Sequence, residues 1–168
     1  MRTKLRGDGA VAVDMEDLAY HLCTIAQRAG DKIREIRLTF SDEDFKIKGD
    51  GSPVTVADLN AHEVITEALH LLRPEWPIVS EEGSSGGDPL DSDYSFLVDP
   101  LDGTKEFIRG NGMYTVNIAV MALRGNGRWE PVLGVVHAPE FMSTWFGGVG
   151  VRATLQNKDC LLYTSDAA

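Results

Sequence analysis

The chain has 168 residues, of which 43% are hydrophobic and 25% charged, values typical of a folded domain rather than a disordered segment. Its 26 acidic and 16 basic side chains give a net charge of −10, which argues against nucleic acid as a partner because the surface repels phosphate backbones. Two cysteines provide no disulfide framework, so we predict a cytoplasmic protein, and we expect neither a signal peptide nor a membrane span.

An amphipathic helix is predicted after a flexible leader over residues 1–13. Apolar side chains recur at helical spacing over residues 15–37, and Asp14 with Asp17 has the spacing of a capping box. The polar connection that follows contains a candidate edge strand at Lys46–Lys48. The first third of the chain therefore predicts a helical layer.

A second helix is predicted after Thr55, which forms another capping box with Asp58. Its apolar face continues as far as Leu72. The Asp58 carboxylate has two interpretations that spacing alone leaves equal. It either caps its own helix or points from the first helical turn into a site.

Two adjacent glutamates, Glu81 and Glu82, follow a short predicted strand at Ile78–Val79. Such a pair is usually solvated, yet one carboxylate at the end of a strand is also a candidate ligand for a hard cation. The polar segment 84–88 lacks the Lys-Ser/Thr ending of a P-loop, so we predict a mobile flap or spacer there.

The stretch 99–107 carries the strongest chemical signal in the chain. A buried strand ending at Val98 would place Asp99 at the edge of the sheet, with Pro100 holding it extended. If the chain then turns at once, the Asp102 carboxylate and the Leu101 carbonyl approach Asp99. Three hard oxygen ligands of this kind suit Mg²⁺, which completes its shell with water and phosphate oxygens.

Gly103 and Thr104 follow this acidic turn and let backbone N–H groups approach an anion. A helical turn opening at Lys105 would direct its positive end at the same anion. The alternative is an ordinary acidic turn followed by a helix cap.

The remaining segments are β-prone. Strands are predicted over residues 115–123, 129–137 and 143–146, with a hairpin turn at Asn126-Gly127 and a glycine-rich turn at 147–150. Pro131 predicts an edge position at the start of its strand. The histidines have no ligand spacing and are interpreted as structural. Helices first and strands later predict an α+β fold, with two N-terminal helices packed on a largely antiparallel sheet.

Four blocks in this order resemble the inositol monophosphatase superfamily of Mg²⁺-dependent, lithium-sensitive phosphatases. The blocks lie at residues 52–58, 80–82, 98–107 and 116–119, and the last is followed by Gly134–Pro139. The resemblance runs from about residue 17 to residue 156. It implies the N-terminal lobe of a layered αβαβα fold, which we assign to residues 14–157.

The resemblance also implies roles for individual residues. Asp58 and Thr104 would activate water as the catalytic pair. The metal ligands would be Glu81, Asp99, Asp102 and the carbonyl of Leu101. The residues implied to contact the substrate are Glu81, Leu101, Asp102, Gly103 and Thr104.

Within the superfamily, Lys105-Glu106-Phe107 is similar to the 3'(2'),5'-bisphosphate nucleotidases, which convert adenosine 3',5'-bisphosphate to AMP and support sulfate assimilation. Inositol monophosphatases typically carry Asn where this chain has Glu106, so an inositol-1-phosphate phosphatase is the alternative. Superfamily members are often homodimers, although the nucleotidase branch includes monomers. The substrate would be a small phosphate ester.

Family members carry a second lobe that supplies another metal-binding aspartate beside a tryptophan, and no such Trp-Asp segment occurs here. Residues 158–168 match nothing in the family pattern, so we predict a truncated or misread tail there. A non-catalytic fragment that binds cations or phosphate is the alternative function for the chain as printed.

Overall fold

The computed structural model describes residues 13–41, 45–49, 51, 53–85, 92–157 and 160–163. Within those ranges the chain forms helices at α1 Met15–Arg37, α2 Val56–Leu72 and α3 Thr104–Arg109. The strands, in chain order, are β1 Phe45–Ile47, β2 Pro53–Thr55, β3 Ile78–Ser80, β4 Gly83–Ser85, β5 Tyr94–Asp102, β6 Thr115–Leu123, β7 Trp129–Ala138, β8 Ser143–Gly148, β9 Val151–Asn157 and β10 Cys160–Tyr163.

The larger sheet has the strand order β10-β9-β8-β7-β6-β5-β3-β4. Its neighbouring strands are antiparallel except β3 and β5, which run parallel, and β1 pairs with β2 in a separate antiparallel ribbon. The predicted α+β fold with a largely antiparallel sheet is therefore confirmed.

The two long helices cover one face of this sheet. α1 packs on α2 and on β6, β7 and β8, while α2 packs on β5. Strand β6 shows why: Val116, Ile118, Val120 and Ala122 alternate into the core, as expected for a sheet with one covered face. The Asp14 side chain accepts from the N–H groups of Glu16 and Asp17, which begins α1 at the predicted position.

The opposite face of the sheet carries exposed apolar side chains in the part of the chain that the structure describes. Val79, Leu97, Val136 and Trp145 lie there with exposed fractions between 38% and 47%. An exposed apolar area of this kind on a folded domain usually marks an interface.

Strand β5 differs from its prediction because it does not end at Val98. It continues to Asp102, and the register with β6 shifts by one residue between Asp99 and Asp102. The extra residue forms a bulge, which accommodates Pro100 because proline has no N–H for the ladder. A bulge therefore replaces the predicted immediate turn.

Several further predictions can be compared with the structure. The predicted hairpin turn is present, with the Gly127 N–H donating to the Arg124 carbonyl. Pro131 has no partner in the pairing of β7 with β8, which begins at Leu133, so it lies at an edge position on that side as predicted. The predicted edge strand is present as β1. Part of the predicted flap is ordered as β4, while residues 86–91 and the leader up to residue 12 lie outside the described residues. Strand β10, in the segment predicted as a tail, was not expected.

Candidate active site

The first turns of α2 and α3 lie beside the ends of the parallel strands β3 and β5. Asp58, in the first turn of α2, is only 2% exposed. Its Oδ2 accepts from the Thr55 backbone N–H at 2.7 Å and from the Thr55 hydroxyl at 2.6 Å, which completes the capping box. One oxygen of the carboxylate is thus fully occupied by the helix cap.

The second oxygen of Asp58 faces a different element. Thr104 Oγ1 lies 2.9 Å from Asp58 Oδ1 and 3.3 Å from the Leu101 carbonyl oxygen, so the hydroxyl can donate to either. Asp58 therefore does both things that its spacing allowed: it caps α2 and it contacts the acidic stretch 99–104. Burial raises the pKa of Asp58, against the hydrogen bonds from Thr55 and Thr104, which makes the carboxylate a stronger base.

Asp99 and Glu81 come together at the ends of β5 and β3. The Glu81 N–H donates to the Val98 carbonyl at 3.1 Å, which fixes the two strand ends side by side. Burial, followed by the negative charges of Glu81 and Asp102, raises the pKa of Asp99 to about 7. Asp99 Oδ1 is buried with no hydrogen-bond partner in the part of the chain that the structure describes.

Asp102 lies on β5 after the bulge that separates it from Asp99. Its carboxylate accepts a hydrogen bond from Asn117 Nδ2 at 3.0 Å. Asn117 pairs directly with Asp99 across β5 and β6. The sequence pattern predicted no role for Asn117, although a polar residue at an otherwise apolar strand position, opposite a predicted ligand, was a usable signal.

Gly103 caps the N-terminus of α3 with φ +100°. A Cβ at this position would lie 3.0 Å from the Met113 carbonyl oxygen, so glycine is required both for its conformation and for its space. The bend at Gly103 carries Thr104 back toward Leu101 and Asp58.

Lys48 is a further charged residue of the site for which the sequence predicted no role. Its Nζ lies 2.6 Å from Glu82 Oε1 and 3.5 Å from Glu81 Oε1. Burial lowers the pKa of Lys48, but the hydrogen bond and charge of Glu82 and the charge of Glu81 outweigh it, so the pKa is raised and the ammonium stays charged. The Glu82 side chain is only 6% exposed and is held by this ion pair, whereas the Glu81 side chain is 52% exposed.

The donor set fits a hard cation. Among the described residues no three His, Cys, Asp or Glu side chains are arranged closely enough to form a metal cluster on their own. Two features nevertheless call for positive charge: the orphaned Asp99 oxygen, and the crowding of Asp99 by Glu81 and Asp102. The Leu101 carbonyl would add an oxygen that a count of side chains does not include.

The histidines at or near the site support the fold. His62 Nδ1 lies 2.9 Å from the Ser80 hydroxyl, which ties α2 to the end of β3, and buried His137 lies 2.9 Å from the Thr144 hydroxyl. Neither contacts the acidic residues at the ends of β3 and β5 through a hydrogen bond or ion pair in the described part of the chain. Their interpretation as structural residues stands.

The chain belongs to the inositol monophosphatase family, whose family model matches residues 14–168. The resemblance drawn from the four sequence blocks is thereby confirmed. The match includes residues 158–168, so the domain boundary at 157 and the unmatched tail stay predictions.

Among curated proteins, the 3'(2'),5'-bisphosphate nucleotidase CysQ of Escherichia coli K12 is 40% identical over 147 residues, which are 82% of this chain and 58% of that protein. Among solved structures, CysQ from Bacteroides thetaiotaomicron is 34% identical with a TM-score of 0.65, over 90% of this chain and 52% of that one. The suhB protein from Bartonella henselae is 26% identical with a TM-score of 0.72, over 83% and 52%. The chain thus spans little more than half the length of these relatives, and its similarity favours the CysQ branch.

Proposed function

We propose that this chain forms the N-terminal lobe, residues 14–157, of a Mg²⁺-dependent phosphatase that removes the 3'-phosphate of adenosine 3',5'-bisphosphate. The products are AMP and inorganic phosphate. The observation that carries the proposal is the hydrogen bond from the Thr104 hydroxyl to the buried Asp58 carboxylate, beside the crowded acids of strands β3 and β5. Similarity to the CysQ nucleotidases supports the choice of substrate.

In this proposal Asp58 is the general base and Thr104 is the relay. A water molecule donates to Thr104 Oγ1, and the Thr104 hydroxyl donates to Asp58 Oδ1. A proton removed from water therefore passes through Thr104 to the buried Asp58 carboxylate. The raised pKa of Asp58 favours this direction of transfer. Thr55 keeps the base oriented through the other carboxylate oxygen.

The proposed cation ligands are Glu81, Asp99, Asp102 and the Leu101 carbonyl. Bound Mg²⁺ lowers the pKa of water and neutralises phosphate charge. The residues proposed to lie against the substrate phosphate are Glu81, Leu101, Asp102, Gly103 and Thr104. Since the chain carries a net charge of −10, binding a phosphate ester here depends on the cation reversing the local charge.

The open sheet face supports the proposal that a second lobe completes the protein. Val79, Leu97 and Val136 line an apolar cavity of about 510 Å³ that reaches Glu81 and Asp99 at its edge. A lobe placed there would cover apolar surface and bring further ligands next to the proposed cation.

None of the helices in the described ranges is long and apolar enough to cross a membrane. We propose a cytoplasmic enzyme that is either monomeric or homodimeric.

The proposal is tested by phosphate release from adenosine 3',5'-bisphosphate and from inositol 1-phosphate, with Mg²⁺ and with added Li⁺. The 168-residue chain is compared with a longer polypeptide, which also carries a downstream half like that of the relatives. We expect turnover of the nucleotide, inhibited by Li⁺, by the extended polypeptide. Equal or better turnover of the inositol ester would contradict the nucleotidase assignment. Mg²⁺ binding without turnover by both polypeptides would favour a non-catalytic lobe.

A further inference from the structure

Asn117 is a polar residue at an otherwise apolar place in strand β6. On the sheet face opposite the helices it lies beside Ala119 of the same strand and Val136, its partner on β7. Asparagine is depleted in strands, and a polar side chain among apolar ones costs free energy unless it is hydrogen-bonded. Departures from the strand pattern are expected mainly at functional sites. The position of Asn117 therefore calls for a functional explanation.

The bulge in β5 places two aspartates beside Asn117. Asp99 is its partner across the strands, and Asp102 pairs with Thr115, which precedes Asn117 by two residues on β6. In a regular strand Asp99 and Asp102 would point to opposite faces, because they are separated by an odd number of positions. The extra residue of the bulge cancels this alternation, since Thr115 and Asn117 share a face. Both carboxylates thus lie on the sheet face that carries Asn117.

The two ends of the Asn117 amide have different surroundings. Its Nδ2 donates to Asp102 Oδ2 at 3.0 Å, which holds this carboxylate from the neighbouring strand. Its Oδ1 is buried without a hydrogen-bond partner in the described ranges, and the same is true of Asp99 Oδ1. Both residues line the cavity of about 510 Å³, together with Glu81. Because an amide oxygen and a carboxylate oxygen are both acceptors, neither can satisfy the other.

Two buried acceptors on paired residues need a donor or a cation. Leaving such an oxygen without a partner is unfavourable, and more so for a charged group. Mg²⁺ suits this pair, because it is bound by carboxylate and carbonyl oxygens and keeps water molecules that donate to further oxygens. The side-chain carbonyl of Asn117 is chemically the same kind of group as the backbone carbonyl of Leu101.

We infer that Asn117 is a positioning residue of the proposed cation site. Its amide N–H group holds the Asp102 carboxylate, and its oxygen adds an uncharged acceptor next to Asp99. The inference rests on the proposed function, because it takes Asp99 and Asp102 as cation ligands. An uncharged side chain suits this place, since a further carboxylate would add to the repulsion among Glu81, Asp99 and Asp102.

The test replaces Asn117 by leucine, which has the same branched shape and no polar atom, and titrates Mg²⁺ into the 168-residue chain in a calorimeter. The substitution removes the donor to Asp102 and the oxygen next to Asp99. Loss of a supporting group of a metal site predicts an affinity for Mg²⁺ about 10 to 100-fold lower. The matched control is Met121→Leu, on the same face of β6, which should bind Mg²⁺ as the parent chain does.

Urea unfolding without Mg²⁺ separates positioning from a purely structural role. Asn117→Leu removes a buried oxygen that has no partner, and water replaces the donor lost by the exposed Asp102 carboxylate, so the unfolding midpoint should be no lower than that of the parent chain. A lower midpoint with unchanged Mg²⁺ affinity would mark Asn117 as structural and overturn the inference.

Failure of the inference and failure of the proposed function give different results. If the parent chain binds Mg²⁺ and Asn117→Leu binds it equally well, the role of Asn117 is wrong while the proposed cation site stands. If the parent chain does not bind Mg²⁺, the proposed cation site is wrong, and the inference is overturned with it.

Discussion

Asp58→Asn is expected to reduce phosphate release by about 10² to 10⁴-fold, the usual contribution of a general base. The carboxylate uses both oxygens as acceptors, one for Thr55 and the other for Thr104. Asparagine offers one acceptor and one donor, so it cannot serve both residues and cannot take up the proton. The measurement is the initial rate of phosphate release by the extended polypeptide with Mg²⁺ and adenosine 3',5'-bisphosphate.

The same substitution disturbs a helix cap, so its effect on stability must be measured separately. We expect a loss of about 0.5 to 2 kcal/mol in the free energy of unfolding, the range for a lost N-terminal cap. Glu63→Gln is the matched control, because Glu63 is exposed on the same helix and its substitution removes an equal charge. A folded Asp58→Asn protein with parental activity would exclude Asp58 as the base.

Phe107→Ala is expected to destabilise the fold more than Asp58→Asn does. The Phe107 ring is fully buried and packs edge-on against Phe40 at 4.9 Å and Tyr114 at 5.5 Å between ring centroids. Truncating a buried phenylalanine costs about 3 to 5 kcal/mol. Because Phe107 anchors α3, its loss also releases the helix that positions Thr104.

The effect is measured by urea unfolding of the printed chain. The exposed aromatic Phe141 provides the control, since Phe141→Ala should change the free energy of unfolding by no more than about 0.5 kcal/mol. If Phe107→Ala and Phe141→Ala cost the same, the buried face of α3 does not hold this helix in place.

The elements of this fold could be predicted where the sequence pattern was strong. The helices around Leu22 and Ile65, the hairpin at Asn126-Gly127 and the antiparallel sheet all follow from periodicity and turn residues, and all are confirmed. The end of β5 could not be predicted, because Pro100 is compatible with both a strand end and a bulge. Only the pairing of Asp102 with Thr115 on β6 decides between them.

The sequence predicted a set of candidate site residues, but not how these residues lie relative to one another. Asp58 was balanced between two roles because local spacing cannot show that a carboxylate faces two elements at once. Lys48 and Asn117 were missed for a similar reason: their partners, Glu82 and Asp102, are 34 and 15 residues away along the chain. Contacts over such separations depend on sheet register and loop path, which the periodicity of one segment does not contain.

The claim that Glu81, Asp99, Asp102 and the Leu101 carbonyl hold a cation is tested most directly by titrating Mg²⁺ into the printed chain in a calorimeter. The parent chain is compared with Asp99→Asn and with Asp93→Asn, an exposed aspartate just before the same strand. The experiment needs no substrate and no second lobe.

The pKa of Asp99 sets the pH dependence of this binding. Because that pKa is raised from 3.8 to about 7 without metal, ionising Asp99 lowers the stability of the metal-free chain as the pH rises through this interval. A bound cation favours the ionised form, so Mg²⁺ affinity should be higher near pH 8 than near pH 6. Asp99→Asn should weaken binding at least about tenfold, as the loss of even a supporting group of a metal site does, and Asp93→Asn should not. Equal Mg²⁺ affinity in the parent chain and Asp99→Asn at both pH values would contradict the proposed site.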